Sequence, residues 1–90
     1  MTNYVQDIIN RLNDKIELYP DLAPLYAQLV LTKGLLTTLK DVHDAWAIWR
    51  NYTQPDHKSL KPFEELSPEV QELDRPYMDA IHAVTTDLHK

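Results

Sequence analysis

The sequence predicts an all-α fold, a compact bundle of four to five short helices with one long covering loop at about residues 53–66, and three observations carry that prediction. Apolar residues recur at offsets of three and four through most of the 90 residues, the period of a helix face rather than of a strand. A single glycine stands where a soluble chain of this length averages about six, which argues against tight hairpins. The six prolines punctuate such a chain: Pro20 and Pro24 separate the first two helices, Pro55 and Pro62 stiffen a loop, Pro68 starts a helix, and Pro76 alone lies inside a helical stripe. One domain over residues 1–90 is expected, with an N-terminal helical pair over 1–36 and a second part over 38–88.

The first helix is read from Val5, Ile8, Ile9, Leu12 and Ile16, with Thr2 or Asn3 as its cap. Tyr19-Pro20 is expected to end it, because a residue before proline avoids helical geometry. Asp21 then reads as the next N-cap and Pro24 as a first-turn residue, ahead of Leu25, Tyr26, Leu29 and Val30. Gly34 is expected to close this helix in the left-handed conformation, with Lys33 on the helix dipole. Thr38 and Asp41 have the spacing of an approximate capping box for a third helix, whose Leu39, Val42, Trp46 and Trp49 trace a stripe with Ala45 and Ala47 beside it. Pro55 and Pro62 bracket the covering loop, and Leu60, Phe63 and Leu66 are its inward anchors. Ser67-Pro68-Glu69 is a strong helix start. Beyond it, Val70, Leu73, Tyr77, Ile81, Val84 and Leu88 form one continuous stripe, yet Pro76 lies inside it. A proline within a helix costs about 3 kcal/mol or more. The reading is therefore a short helix over 68–73, a break with Asp74 as a second cap, and a last helix from about Arg75 to Asp87, the alternative being one helix kinked at Pro76.

Composition excludes several chemistries. Without cysteine there is no disulfide, thiolate nucleophile or thiolate zinc site, and a lone glycine rules out dinucleotide fingerprints and Walker loops. The net charge of −5 is spread evenly, −2 over residues 1–45 and −3 over 46–90. Neither half has the Lys and Arg cluster that nucleic-acid binding needs. No signal peptide and no apolar run of membrane-spanning length is visible, so a cytoplasmic protein with no membrane partner is expected.

The run Asp41-Val42-His43-Asp44-Ala45-Trp46-Ala47, then His57-Lys58-Ser59-Leu60-Lys61-Pro62-Phe63-Glu64-Glu65-Leu66, then Glu69 and Asp74-Arg75, resembles the ryanodine-receptor repeat over residues 39–81. That module pairs a His-x-x-Trp helix with a His-x-x-Leu-x-Pro-aromatic-x-x-Leu loop and an acidic helix ending in Asp-Arg. Its usual Gly-Trp-x-Tyr-Gly stretch is missing here, where only Asn51 to Asp56 separate helix from loop. The whole chain also resembles small proteins of unassigned function encoded by bacteriophages of actinobacteria. The repeat occurs as structural modules in calcium channels and as a suspected ligand-sensing domain in bacterial and phage proteins. The resemblance thus implies a binding or scaffolding role, in the host cytoplasm if the chain is phage-encoded, and not an enzyme.

Two sets of residues are candidates for that role. His43, Trp46, Arg50, His57 and Lys58 would form a pocket in which an indole stacks on a planar ligand and the cations meet its charge; the competing reading is that His43 only orders the loop and the tryptophans are core. Glu65, Glu69, Glu72 and Asp79 belong to an acidic run that either docks on a basic protein or is simply solvated. The amphipathic first helix either packs on its own chain or mediates self-association. The four histidines lack metal-ligand spacing, the serines lack a catalytic setting, and no metal or cofactor is expected. A non-enzymatic interaction module, plausible as a phage accessory protein, is the leading expectation, with a binder of a nucleotide-type signal second.

Overall fold

The computed structural model describes residues 3–89. Five α-helices follow one another, α1 (Tyr4–Lys15), α2 (Ala23–Thr32), α3 (Leu39–Thr53), α4 (Pro68–Glu72) and α5 (Arg75–Leu88), with 3₁₀ turns at Gly34–Leu36 and Phe63–Glu65 and no strand among the described residues. The fold is all-α, as the sequence predicts.

Helix α1 starts at Asn3, whose side chain accepts from the Gln6 N–H at 2.8 Å. Thr2, the other capping candidate, lies outside the described residues. The helix ends at Lys15, earlier than the Tyr19-Pro20 boundary expected, because Ile16 is already extended at φ −154° and ψ 148°. From there exposure alternates: Ile16 and Leu18 are half-buried, Glu17 and Tyr19 exposed. On a helix Ile16 and Leu18 would point about 200° apart, whereas an extended segment sends both to the core. Packing, not Pro20, stops α1.

Asp21 does not cap α2. The Tyr19 carbonyl accepts from the Leu22 and Ala23 N–H groups at 3.0 and 3.1 Å, so the turn at Pro20 satisfies these amides with backbone, and Leu22 holds the cap position without a side-chain bond. Pro24 does lie in the first turn. Gly34 leaves α2 at φ 56°, the left-handed conformation expected, and a Cβ there would stand 3.1 Å from Thr85 Cγ2.

The capping box of α3 forms in full: the Thr38 hydroxyl accepts from the Asp41 N–H at 3.2 Å while the Asp41 carboxylate accepts from the Thr38 N–H at 2.9 Å. Ser67 caps α4, and Pro76 sits in the first turn of α5, where its missing N–H loses no helical bond. The break between α4 and α5 is therefore real, and the apolar stripe across it is divided: Ile81 and Val84 are fully buried but Leu73 is 68% exposed. Asp74 holds the N-cap position in helical geometry and makes no side-chain capping bond, contrary to its expected role.

One continuous core joins the four longer helices. Leu12 of α1, Tyr26 of α2, Val42 of α3, and Ile81 and Val84 of α5 are its largest fully buried side chains. Helices α1, α2 and α5 pack on one another, and α3 lies on α2 and α5. The covering loop is anchored by buried Leu66 and half-buried Leu60 and Phe63. No helix among the described residues is long and apolar enough to cross a membrane.

Candidate functional site

Helix α3 presents two neighbouring faces, each spaced i, i+3, i+7. Val42, Ala45 and Trp49 are buried and belong to the core. One residue further on, His43, Trp46 and Arg50 occupy the adjacent face, and it borders a cleft of about 770 Å³. Tyr19 from the extended segment after α1, Tyr26 at the start of α2, His57 from the loop, and Asp74 and Tyr77 at the α4–α5 joint supply the other walls.

Aromatic rings dominate the lining. Tyr19 stacks on Trp49 with centroids 5.1 Å apart, His43 stacks on Trp46 at 5.6 Å, and His57 meets Trp46 edge-on at 5.2 Å. The Arg50 guanidinium lies 4.4 Å from the Trp49 ring centroid and 5.9 Å from that of Trp46. It contacts two indole rings, and its Nη1 donates to the Thr53 hydroxyl at 3.3 Å. No carboxylate pairs with it among the described residues, although the chain carries 14 acidic side chains against nine Lys and Arg. Arg50 Nε and Trp49 Nε1 are both buried N–H donors without an acceptor. An unsatisfied buried donor costs about 1–3 kcal/mol, and these two fall on successive residues of one helix.

The two histidines hold the loop. His43, only 3% exposed, donates from Nε2 to the Lys61 carbonyl at 2.8 Å, and its ring also meets Phe63 at 6.1 Å. His57 Nδ1 accepts from the Ser59 N–H at 3.0 Å. Thus His43 does order the loop, and in the same position forms part of the cleft wall. His82 has a comparable anchoring bond elsewhere, to the Thr37 carbonyl at 2.8 Å. No cluster of metal-ligating side chains occurs among the described residues.

Asp74 is the half-buried acid of the cleft. Burial pushes its carboxyl up to about 6, against the opposing pull of the nearby His43 charge. Its proximity and burial also act on Tyr26, whose phenol is held well above its ordinary value, first by its own desolvation and then by the Asp74 charge. No hydrogen bond among the described residues reaches the Asp74 carboxylate.

Of the ligand-site candidates, the structure brings His43, Trp46, Arg50 and His57 together in one cleft and leaves Lys58 exposed outside it. Glu65, Glu69, Glu72 and Asp79 are all exposed, on the second 3₁₀ turn, α4 and α5, and Glu72 is bound to Arg75 at 2.6 Å. Sequence reasoning missed Asp74, Tyr19, Tyr26 and Tyr77 as cleft residues. Asp74 carried a misleading signal, since an acid one residue before a helix start is what a cap looks like. A family model described as a domain of unknown function (DUF7701) matches residues 2–86. No curated protein and no solved structure matches the chain.

Proposed function

The chain belongs to the DUF7701 family, and we propose for it a non-enzymatic binding role exercised through the aromatic cleft, with a small planar anion of nucleotide type as its ligand. Arg50 is the observation that supports this most: a guanidinium held against two indole rings, with no acid partner, in an acidic chain. A cation so placed presents its fork to a phosphate or carboxylate while the rings take a flat ligand face. The test is a panel of nucleotides at millimolar concentration, read as the melting temperature of the full chain. Binding raises it by mass action; the rise is expected for wild type and should be lost in Arg50→Met. No shift with any nucleotide in the wild-type chain would refute the reading.

A second reading, a protein-docking module, is favoured by a different observation. Leu31, Leu35 and Leu36 stand 50%, 60% and 79% exposed around the end of α2, and the acidic Glu65, Glu69 and Asp79 are exposed as well. In α1, Ile8 and Leu12 are already buried in this chain's own core, so the helix offers a partner only Tyr4 and Val5. The likeness to the ryanodine-receptor repeat and to phage proteins of unassigned function belongs with these proposals: His43, Trp46, His57 and Phe63, four of the residues that carry the first, are those whose rings meet where the loop lies on α3.

A further inference from the structure

The cleft has two unlike ends. His43 and Arg50 share a face of α3 seven residues apart, which is two turns and about 10 Å along the axis. Arg50 provides an unpaired cation at one end. At the other, beside His43, Asp74 provides a half-buried carboxylate that no hydrogen bond reaches. Trp46 spans the interval from His43 to Arg50, its ring 5.6 Å from the first and 5.9 Å from the guanidinium of the second. The described residues supply this half-buried carboxylate with no donor, which leaves it able to accept from a ligand, although Asp74 sits at a helix start where capping would have satisfied it.

Resting on the cleft-binding reading above, we propose that Asp74 selects the ligand's ring by accepting from two adjacent N–H donors, and that the ligand is a guanine nucleotide. An ionised carboxylate is acceptor-only, with two oxygens side by side. Guanine presents N1–H and its exocyclic amine as adjacent donors and matches that fork. Adenine sets its amine beside an acceptor nitrogen, so one carboxylate oxygen would face a lone pair. Inosine keeps N1–H but lacks the amine. The phosphate falls to the Arg50 guanidinium, which has no carboxylate partner among the described residues, and the purine stacks on the half-buried Trp46. An extended nucleoside monophosphate spans a length comparable to the two helical turns that separate the ends.

The experiment is isothermal titration of the full chain with the 5′-monophosphates of guanosine, inosine, adenosine and xanthosine, on wild type and Asp74→Asn. A good bidentate pair discriminates by roughly tenfold or more. Wild type is expected to bind the guanosine nucleotide at least about tenfold more tightly than the adenosine one, with inosine between. In Asp74→Asn the amide offers one acceptor and one donor, which fits the N1–H and neighbouring carbonyl of xanthine, so preference should pass from guanosine to xanthosine. That reversal is a readout that a merely weakened fold cannot produce. Equal affinities across the set in wild type, or a guanosine preference unchanged in Asp74→Asn, would overturn the guanine assignment and leave the cleft reading standing. Failure of all four nucleotides to bind wild type would overturn both.

Discussion

Asp74 is held neutral further up the pH scale than an exposed aspartate, because burial disfavours its charge more than His43 favours it. Its folded value of about 6 lies above its ordinary value of 3.8, so folding favours the protonated form. The stabilising contribution is full below the ordinary value and lost as pH rises through about 6. Asp74→Asn should therefore stabilise the chain at pH 7.5, by about 1 kcal/mol once solvent screening of a half-exposed group is allowed for, and the advantage should vanish by about pH 4. Chemical denaturation across that range checks it; a difference that did not depend on pH would contradict the assignment. Gly34 makes a second prediction at this scale. Gly34→Ala meets both a positive φ and the Thr85 methyl at 3.1 Å, and is expected to cost about 1–3 kcal/mol in the same assay. The two residues differ in how far the sequence revealed them. Gly34 was legible, because glycine takes the left-handed conformation of a helix stop without the steric clash a Cβ brings. Asp74 was not, because capping and cleft-lining aspartates look alike until the backbone shows that its cap position is helical.

The helices themselves were legible wherever local chemistry decides them. Thr38 with Asp41, and Ser67 with Pro68, contain their own start signals, and the structure uses them. Thr38→Ala breaks both halves of a reciprocal cap and should lower stability by about 1 kcal/mol, measured by denaturant midpoint. Pro76→Ala, by contrast, is expected to change stability by less than about 1 kcal/mol despite lying within the apolar stripe, since the residue begins a helix instead of interrupting one. A large effect there would mean that α4 and α5 behave as one kinked element. What local chemistry could not show was the end of α1 and the start of α2. The first is set by Ile16 and Leu18 reaching the core together, with Tyr19 lying on Trp49, 30 residues away; the second by the Tyr19 carbonyl, which takes the amides that Asp21 was expected to cap.

At the scale of the whole molecule, four helices share one core, so each depends on the others. Leu12→Ala removes a side chain with no exposed surface and is expected to cost about 2–5 kcal/mol, a large share of the stability of a domain this small. The cleft is a property of this scale as well. The face of α3 that forms it follows from helical spacing alone, which is why His43, Trp46 and Arg50 could be grouped from sequence. The opposing wall comes from an extended segment, the start of α2 and an interhelical joint, and no periodicity links Tyr19, Tyr26, Asp74 and Tyr77 before the chain is folded. Lys58 is grouped from sequence with His43, Trp46, Arg50 and His57 on the expectation that the loop folds back, and the folded loop leaves it exposed outside the cleft that His57 lines.

Both tryptophans of the chain line that same cleft. All of the protein's indole light therefore comes from one place, and Tyr19, stacked at 5.1 Å on one of the two emitters, is close enough to pass its own excitation there. The folded chain is in effect a labelled probe of its own cleft. Whatever enters between Trp46 and Arg50 will alter the emission without any dye or tag, and a compound that leaves the spectrum unchanged has not entered there.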